Sequence, residues 1–218
     1  DQWFGRPKPE PLSPPPVIAS STLPAAEILQ RALEARGGEK AATQVRSIHL
    51  KGTVDLNLAF LSPSPMDFFA MRPNRYRSVV GINVPDGANL GQFVQGFDGK
   101  SGCNSDSDGS CQILKDQQYE ERRDRAEFFG WYDEPGNYET VECLGEAKFD
   151  GKSCYDLRVV TKTHQEYFHY YDATNFLLAG VFVRATTQNG TKWEKVTLGD
   201  YRAFDGFLLP TRIVSQRA

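Results

Sequence analysis

The sequence predicts a mainly β fold of the α+β class: one long curved antiparallel sheet with two helices covering its concave face. Three observations carry this expectation. The tripeptide Phe-Asp-Gly returns three times, at Phe97-Asp98-Gly99, Phe149-Asp150-Gly151 and Phe204-Asp205-Gly206. Asp-Gly between alternating apolar residues signals a tight hairpin, because Gly accepts the positive φ of such turns and Asp tolerates it. Apolar and polar residues alternate strictly from Ser47 to Phe60, the period of a strand with one buried face. Two helical stretches interrupt the strands, so the order is helix, strands, helix, strands, with short turns that favour antiparallel neighbours.

Residues 1–22 read as an extended tether, since Pro7, Pro9, Pro11, Pro14, Pro15 and Pro16 favour a semi-rigid polyproline spacer. A single domain is expected over 23–218. A helix is predicted from Leu23 to Arg36: Pro24 suits its first turn, Ile28, Leu29, Ala32 and Leu33 form an apolar stripe, and Gly37-Gly38 ends it. A helical turn follows over Glu39 to Gln44. The long alternating strand ends at Ser62-Pro63-Ser64-Pro65. Further strands are predicted at 66–72, 75–84, 92–97 and 112–114. Asp116 to Phe129 is charged and free of Gly and Pro, a second helix that leads into the aromatic run Phe128-Phe129-Gly130-Trp131-Tyr132. Strands resume at 140–149, 153–162, 165–171, 177–185, 192–203 and 207–215, with Asn189-Gly190 among the turns.

Composition narrows the function. The net charge of −3 and the scatter of basic residues among acidic ones exclude a broad nucleic-acid footprint. Arg122-Arg123-Asp124-Arg125 reads as a solvated helix face. No apolar run reaches the roughly 20 residues of a membrane-spanning helix. The opening Asp1-Gln2-Trp3 lacks the basic and apolar stretches of a secretory leader and reads as a mature or trimmed start.

The four cysteines have no zinc-type spacing, and an even count favours disulfides and an oxidising compartment. Cys103 and Cys111 flank a polar turn and are expected to meet across a hairpin. Cys143 and Cys154 flank the second Phe-Asp-Gly. In a regular two-residue hairpin they share a face but lie about 13 Å apart along the strand, so a bridge between them needs a bulge or a wider loop.

No catalytic or metal-binding motif emerges. His49, His164 and His169 have no metal spacing and read as solvent-facing strand residues. A G-x-S-x-G elbow and phosphate-binding glycine patterns are absent. Asn104-x-Asp106-x-Asp108-Gly109 imitates the start of a calcium loop, but Lys115 stands where its bidentate Glu belongs. Asn189-Gly190-Thr191 is a glycosylation sequon in a turn. The expectation is a non-enzymatic chain without cofactor or metal.

The chain resembles the LolA/LolB-like superfamily, and especially the outer-membrane lipoprotein-sorting-protein-like domains. The residues that carry the resemblance are Ile28 to Gly38, Val45-Arg46-Ser47-Ile48 leading into the long strand, Phe97 to Gly102, Gly145 to Leu157, Tyr170-Tyr171-Asp172, and Leu198 to Tyr201 followed by Phe204 to Pro210. The resemblance implies an unclosed β-barrel, a half-barrel lidded by helices around a hydrophobic cavity for acyl chains. On that reading the chain is a carrier of a lipid or lipoprotein acyl chain in the periplasm or cell envelope, not membrane-spanning and held by its N-terminal segment. The residues expected to line the cavity are Leu56, Leu58, Phe60, Phe68, Tyr76, Phe93, Phe128, Phe129, Trp131, Tyr155, Phe168 and Tyr170, because large apolar concavities are the default ligand sites. The alternative is an envelope sensor or interaction module that reads a protein partner on the same fold.

Overall fold

The computed structural model describes residues 12–55, 60–105, 109–128, 138–162, 164–187 and 190–217. Its elements in chain order are β1 (Val17–Ala19), α1 (Ala25–Ala35), α2 (Gly38–Gln44), β2 (Ser47–Val54), β3 (Ser64–Met71), β4 (Arg75–Asn83), β5 (Asn89–Phe97), β6 (Gly102–Ser105), β7 (Cys111–Ile113), α3 (Asp116–Ala126), β8 (Tyr138–Phe149), β9 (Lys152–Thr161), β10 (Glu166–Asp172), β11 (Leu178–Thr187), β12 (Gly190–Phe204) and β13 (Phe207–Arg217). The fold is mainly β, and the described strands pair antiparallel and close into no barrel.

The strands form two sheets rather than the single one expected. One has the order β1-β8-β9-β10-β11-β12-β13, the other β2-β3-β4-β5-β6-β7. Helix α3 separates β7 from β8 in the chain, and β1 pairs along one edge of β8. The chain divides accordingly into two compact units: the chain up to Ala42 with the chain from Tyr138 on, and Thr43 to Asn137. The alternating strand predicted to reach Phe60 ends as β2 at Val54. Phe60 lies in a turn.

In the seven-stranded unit two of the Phe-Asp-Gly turns are two-residue hairpins. Phe149 pairs with Lys152 and Phe204 with Phe207, and Asp150, Gly151, Asp205 and Gly206 all carry positive φ, as type I′ turns require. Both faces of this sheet carry buried residues. One face carries Leu157, Val159, Tyr171 and Val181. Tyr155 stacks there on Phe176, over which the Arg31 guanidinium of α1 is placed. The other face holds a cluster of Ala147, Phe149, Cys154, Tyr170, Ala179 and Phe182, against which Leu12 packs. Part of the stretch expected as a tether is therefore built into the sheet: Val17 and Ala19 pair with Ala147 and Glu146.

Double-sided burial corrects the reading of His169 as solvent-facing. His169 is buried, with the Tyr138 and Tyr167 rings edge-on to it at 6.1 and 5.9 Å. His164 is exposed and meets Glu139 at 3.0 Å. Asp156 is also buried, directly opposite Tyr170 in the ladder. Burial pushes its carboxyl up to about 6, against the opposing pull of the Tyr170 hydroxyl and the His169 charge.

The second cysteine pair does not bridge. A register shift between Cys143 and Gly145 places Cys143 opposite Leu157, while Cys154 stays opposite Ala147. The extra residue, Leu144, turns Cys143 to the face opposite Cys154. Both thiols are free. Cys103 and Cys111 form the expected disulfide, with a Cα–Cα distance of 5.8 Å.

In the six-stranded unit the first Phe-Asp-Gly opens a wider loop, not a two-residue hairpin. Phe97 pairs with Gly102, and the Asp98 carboxylate accepts the Lys100 and Ser101 N–H groups at 2.8 and 2.7 Å. Those hydrogen bonds favour the charged form and hold the Asp98 carboxyl below the ordinary carboxylate pKa range. Among the described residues no helix is long and apolar enough to cross a membrane.

Candidate functional site

The six-stranded sheet presents one face in cross-strand rows. Ile48, Ala70, Tyr76, Phe97 and Gly102 form one row. Leu50, Phe68, Ser78, Gln95 and Asn104 form the next, and Gly52, Met66, Val80 and Phe93 the third. Strand alternation puts these residues together, since partners directly opposite share a face. Phe68 and Tyr76 stack with ring centroids 6.0 Å apart. Most of the apolar members, Ile48, Leu50, Phe68, Tyr76, Val80 and Phe93, are half-buried. Phe97 is buried beneath α3, its ring 5.8 Å from that of Tyr119.

Helix α3 crosses this face over β5 and β6. The residues it turns inward are Tyr119, Arg122 and Ala126, at helical spacing, and Ala126 is buried. Arg122 is thus not part of a solvated face. Its Nη1 donates to Tyr76 Oη at 2.7 Å and to Gln95 Oε1 at 2.6 Å, and its Nη2 donates to Asn104 Oδ1 at 2.9 Å. The absence of a side chain at Gly102 makes room for the arginine stem: a Cβ there would stand 3.1 Å from Arg122 Cγ. Charge patterning missed Arg122 because α3 is charged nearly all round; the Tyr119-x-x-Arg122-x-x-x-Ala126 spacing was the available signal. Beyond α3, Phe128 is buried, its N–H donates to the Pro73 carbonyl at 3.1 Å, and the Arg72 guanidinium lies 4.6 Å over its ring.

The opposite face of the same sheet bears a shallow depression of about 390 Å³ lined by His49, Phe69, Met71, Arg75 and Arg77. His49 stacks on Phe69 at 4.1 Å and meets Asp67 at 2.7 Å. That contact holds the Asp67 carboxyl below its usual range.

Of the residues expected to line a cavity, Phe68, Tyr76 and Phe93 come together on the rows described. Phe60 is 65 % exposed. Phe128 is packed beneath Arg72. Tyr170 is buried in the aromatic cluster of the other unit, stacked on Phe149 at 4.9 Å. Phe168 lies on the same face as Tyr170, with its ring edge toward Trp193, whereas Tyr155 projects from the opposite face. Leu56, Leu58, Phe129 and Trp131 lie outside the described residues, as do Asp106 and Asp108 of the calcium-like loop and Asn189 of the sequon. Among the described residues no group of three or more His, Cys, Asp or Glu side chains is placed to hold a metal.

No protein-family model and no curated protein matches the sequence. Solved structures do match its fold. A LolA superfamily protein from Nitrosomonas europaea shares 17% identity over 90% of this chain and 87% of its own, with a TM-score of 0.52. A DUF1329 family protein from Desulfovibrio piger shares 10% identity over the same coverage, 90% and 87%, with a TM-score of 0.56. A putative outer membrane lipoprotein-sorting protein domain from Vibrio parahaemolyticus shares 13% over 88% and 85%, with a TM-score of 0.54. Identities this low speak for the backbone arrangement alone, and on that evidence the chain has a LolA-like fold.

Proposed function

We propose that the chain is a non-catalytic carrier in the bacterial envelope that holds the acyl chain of a lipid or lipoprotein against the apolar face of its six-stranded sheet. The observation that carries this reading is the set of half-buried apolar side chains Leu50, Phe68, Tyr76, Val80 and Phe93 on one face of a LolA-like fold. Apolar area of this kind gains about 0.8 kcal/mol per CH₂ group it removes from water. Such binding needs no catalytic residue. The Cys103–Cys111 disulfide supports an exported location, because such bonds persist in oxidising compartments.

Native mass spectrometry of the purified chain and displacement of an uncharged fluorescent probe by long-chain lipids test the reading. Co-purified lipid, and probe binding that weakens when Phe68→Gln and Phe93→Gln are combined, support it. A chain that carries no lipid and binds no probe refutes it.

A further inference from the structure

We propose that Arg122 recognises the oxyanion of an amphiphilic ligand, a carboxylate or a phosphate, whose hydrocarbon lies along the Phe68 and Phe93 rows; the inference rests on the carrier reading above. The guanidinium is part-buried, and its partners are three neutral oxygens, on Tyr76, Gln95 and Asn104. No carboxylate among the described residues pairs with it. A cation drawn into a protein surface is ordinarily matched by an anion, since neutral acceptors orient it without balancing its charge. Three of its five N–H donors are spent on those contacts. The remaining two, one on Nε and one on Nη2, stay available to an incoming oxyanion, the partner a guanidinium binds best.

The placement fits an amphiphile. Tyr76 joins the two chemistries: its hydroxyl accepts from Arg122 while its ring stacks on Phe68. A ligand whose chain runs from Tyr76 over Phe68 toward Leu50 therefore brings its head to the guanidinium. Tyr76, Gln95 and Asn104 come from three different strands, so the guanidinium is held in place before the ligand arrives, which lowers the cost of recognition.

Displacement of the uncharged probe N-phenyl-1-naphthylamine from the full chain by laurate, dodecyl phosphate, methyl laurate and dodecanol is the test. In the unsubstituted chain at least one of the two anionic ligands is expected to displace the probe at a concentration about tenfold to a hundredfold below the neutral pair. Preference for laurate alone identifies a carboxylate, and preference for dodecyl phosphate alone a phosphate; either supports the proposal. Arg122→Gln is expected to abolish the preference while the probe and the neutral ligands bind within about threefold of their original strength. Arg123→Gln, on the flank where Arg123 pairs with Glu120, is expected to keep it. Asn104→Asp places a carboxylate beside the guanidinium and is expected to suppress the preference without removing the arginine, which serves if Arg122→Gln does not fold. Equal displacement by laurate, dodecyl phosphate and methyl laurate, or a preference that survives both Arg122→Gln and Asn104→Asp, overturns the assignment and leaves the carrier reading standing. Failure of the probe and of every neutral ligand to bind overturns both.

Discussion

Gly37 stands directly against Gly206: a Cβ on Gly37 would lie 2.2 Å from the Gly206 carbonyl oxygen. The contact joins the end of α1 to the third Phe-Asp-Gly turn. It is reinforced on either side, where the Leu208 N–H donates to the Arg36 carbonyl at 2.8 Å and the Arg36 guanidinium lies 5.0 Å over the Phe207 ring. Gly37 also has φ +120, a conformation other residues adopt only with strain. Gly37→Ala is expected to lower unfolding free energy by about 2 kcal/mol or more, measured by urea denaturation. Gly38→Ala, with positive φ but open space around it, is expected to cost less than half as much. Equal losses in the two variants contradict the contact as the cause.

Asp156 makes stability fall as pH rises. Its folded-state pKa, about 6, lies above the ordinary value of 3.8, so the folded chain binds the proton more tightly than the unfolded one. Stability from this group is full below about pH 4 and is lost progressively up to about pH 6, by roughly 2–3 kcal/mol. Asp156→Asn is expected to remove that part of the slope between pH 4 and pH 6.5. The difference between the two chains isolates Asp156 from the exposed Asp67 and Asp98, whose lowered values act in the opposite sense. A difference that does not change with pH contradicts the burial of a protonated carboxyl.

The two free thiols should differ sharply in reactivity. Burial, with the Asp172 charge adding to it, pushes the Cys154 thiol up to about 11, so it is neither exposed nor ionised at neutral pH. Cys143 is half-buried. Alkylation of the native chain at pH 7.5, read by mass spectrometry, is expected to modify Cys143 first and to spare Cys154 for at least about tenfold longer. In denaturant without reductant both react, while Cys103 and Cys111 react only after reduction. Alkylation of Cys103 or Cys111 without reductant contradicts the pairing.

Removal of residues 1–20 deletes β1 and the Leu12 contact with the aromatic cluster. It also uncovers the outer edge of β8. The expected cost is about 2–4 kcal/mol of unfolding free energy, from the lost apolar burial and ladder hydrogen bonds. A spacer that touches nothing leaves the denaturation midpoint unchanged, and that result contradicts the packing of Leu12 and β1.

Much of the fold was legible because strand and turn signals are local. Alternation marks which residues of one strand share a face, whereas the grouping of Phe68, Tyr76 and Phe93 rests on the register between strands. Gly37-Gly38 ends α1 and Asp150-Gly151 closes a hairpin for reasons confined to a few backbone dihedrals. The first Phe-Asp-Gly carries the same residues yet opens a wider loop, since the strand pairing around it, not the tripeptide, decides the register.

The site was less legible, since alternation and helical spacing state which side chains travel together and never what covers them. A single extra residue, Leu144, turned Cys143 away from Cys154. On a helix charged nearly all round only the weak Tyr119, Arg122 and Ala126 spacing marks an inward side, and Arg122 is drawn in because Tyr76, Gln95, Asn104 and the space over Gly102 lie beneath it. His169 and Asp156 have ordinary strand positions, and packing on both faces of the seven-stranded sheet is what buried them. The sequence by itself determined most of the strands, the helices and two of the three Phe-Asp-Gly hairpins, because those depend on dihedral preference and periodicity within a few residues. Only the tertiary structure decided that the strands part into two sheets, that the N-terminal segment joins one of them, and that one guanidinium stands among neutral oxygens. Each of those outcomes rests on contacts between residues far apart in the chain, whose energies no local pattern records.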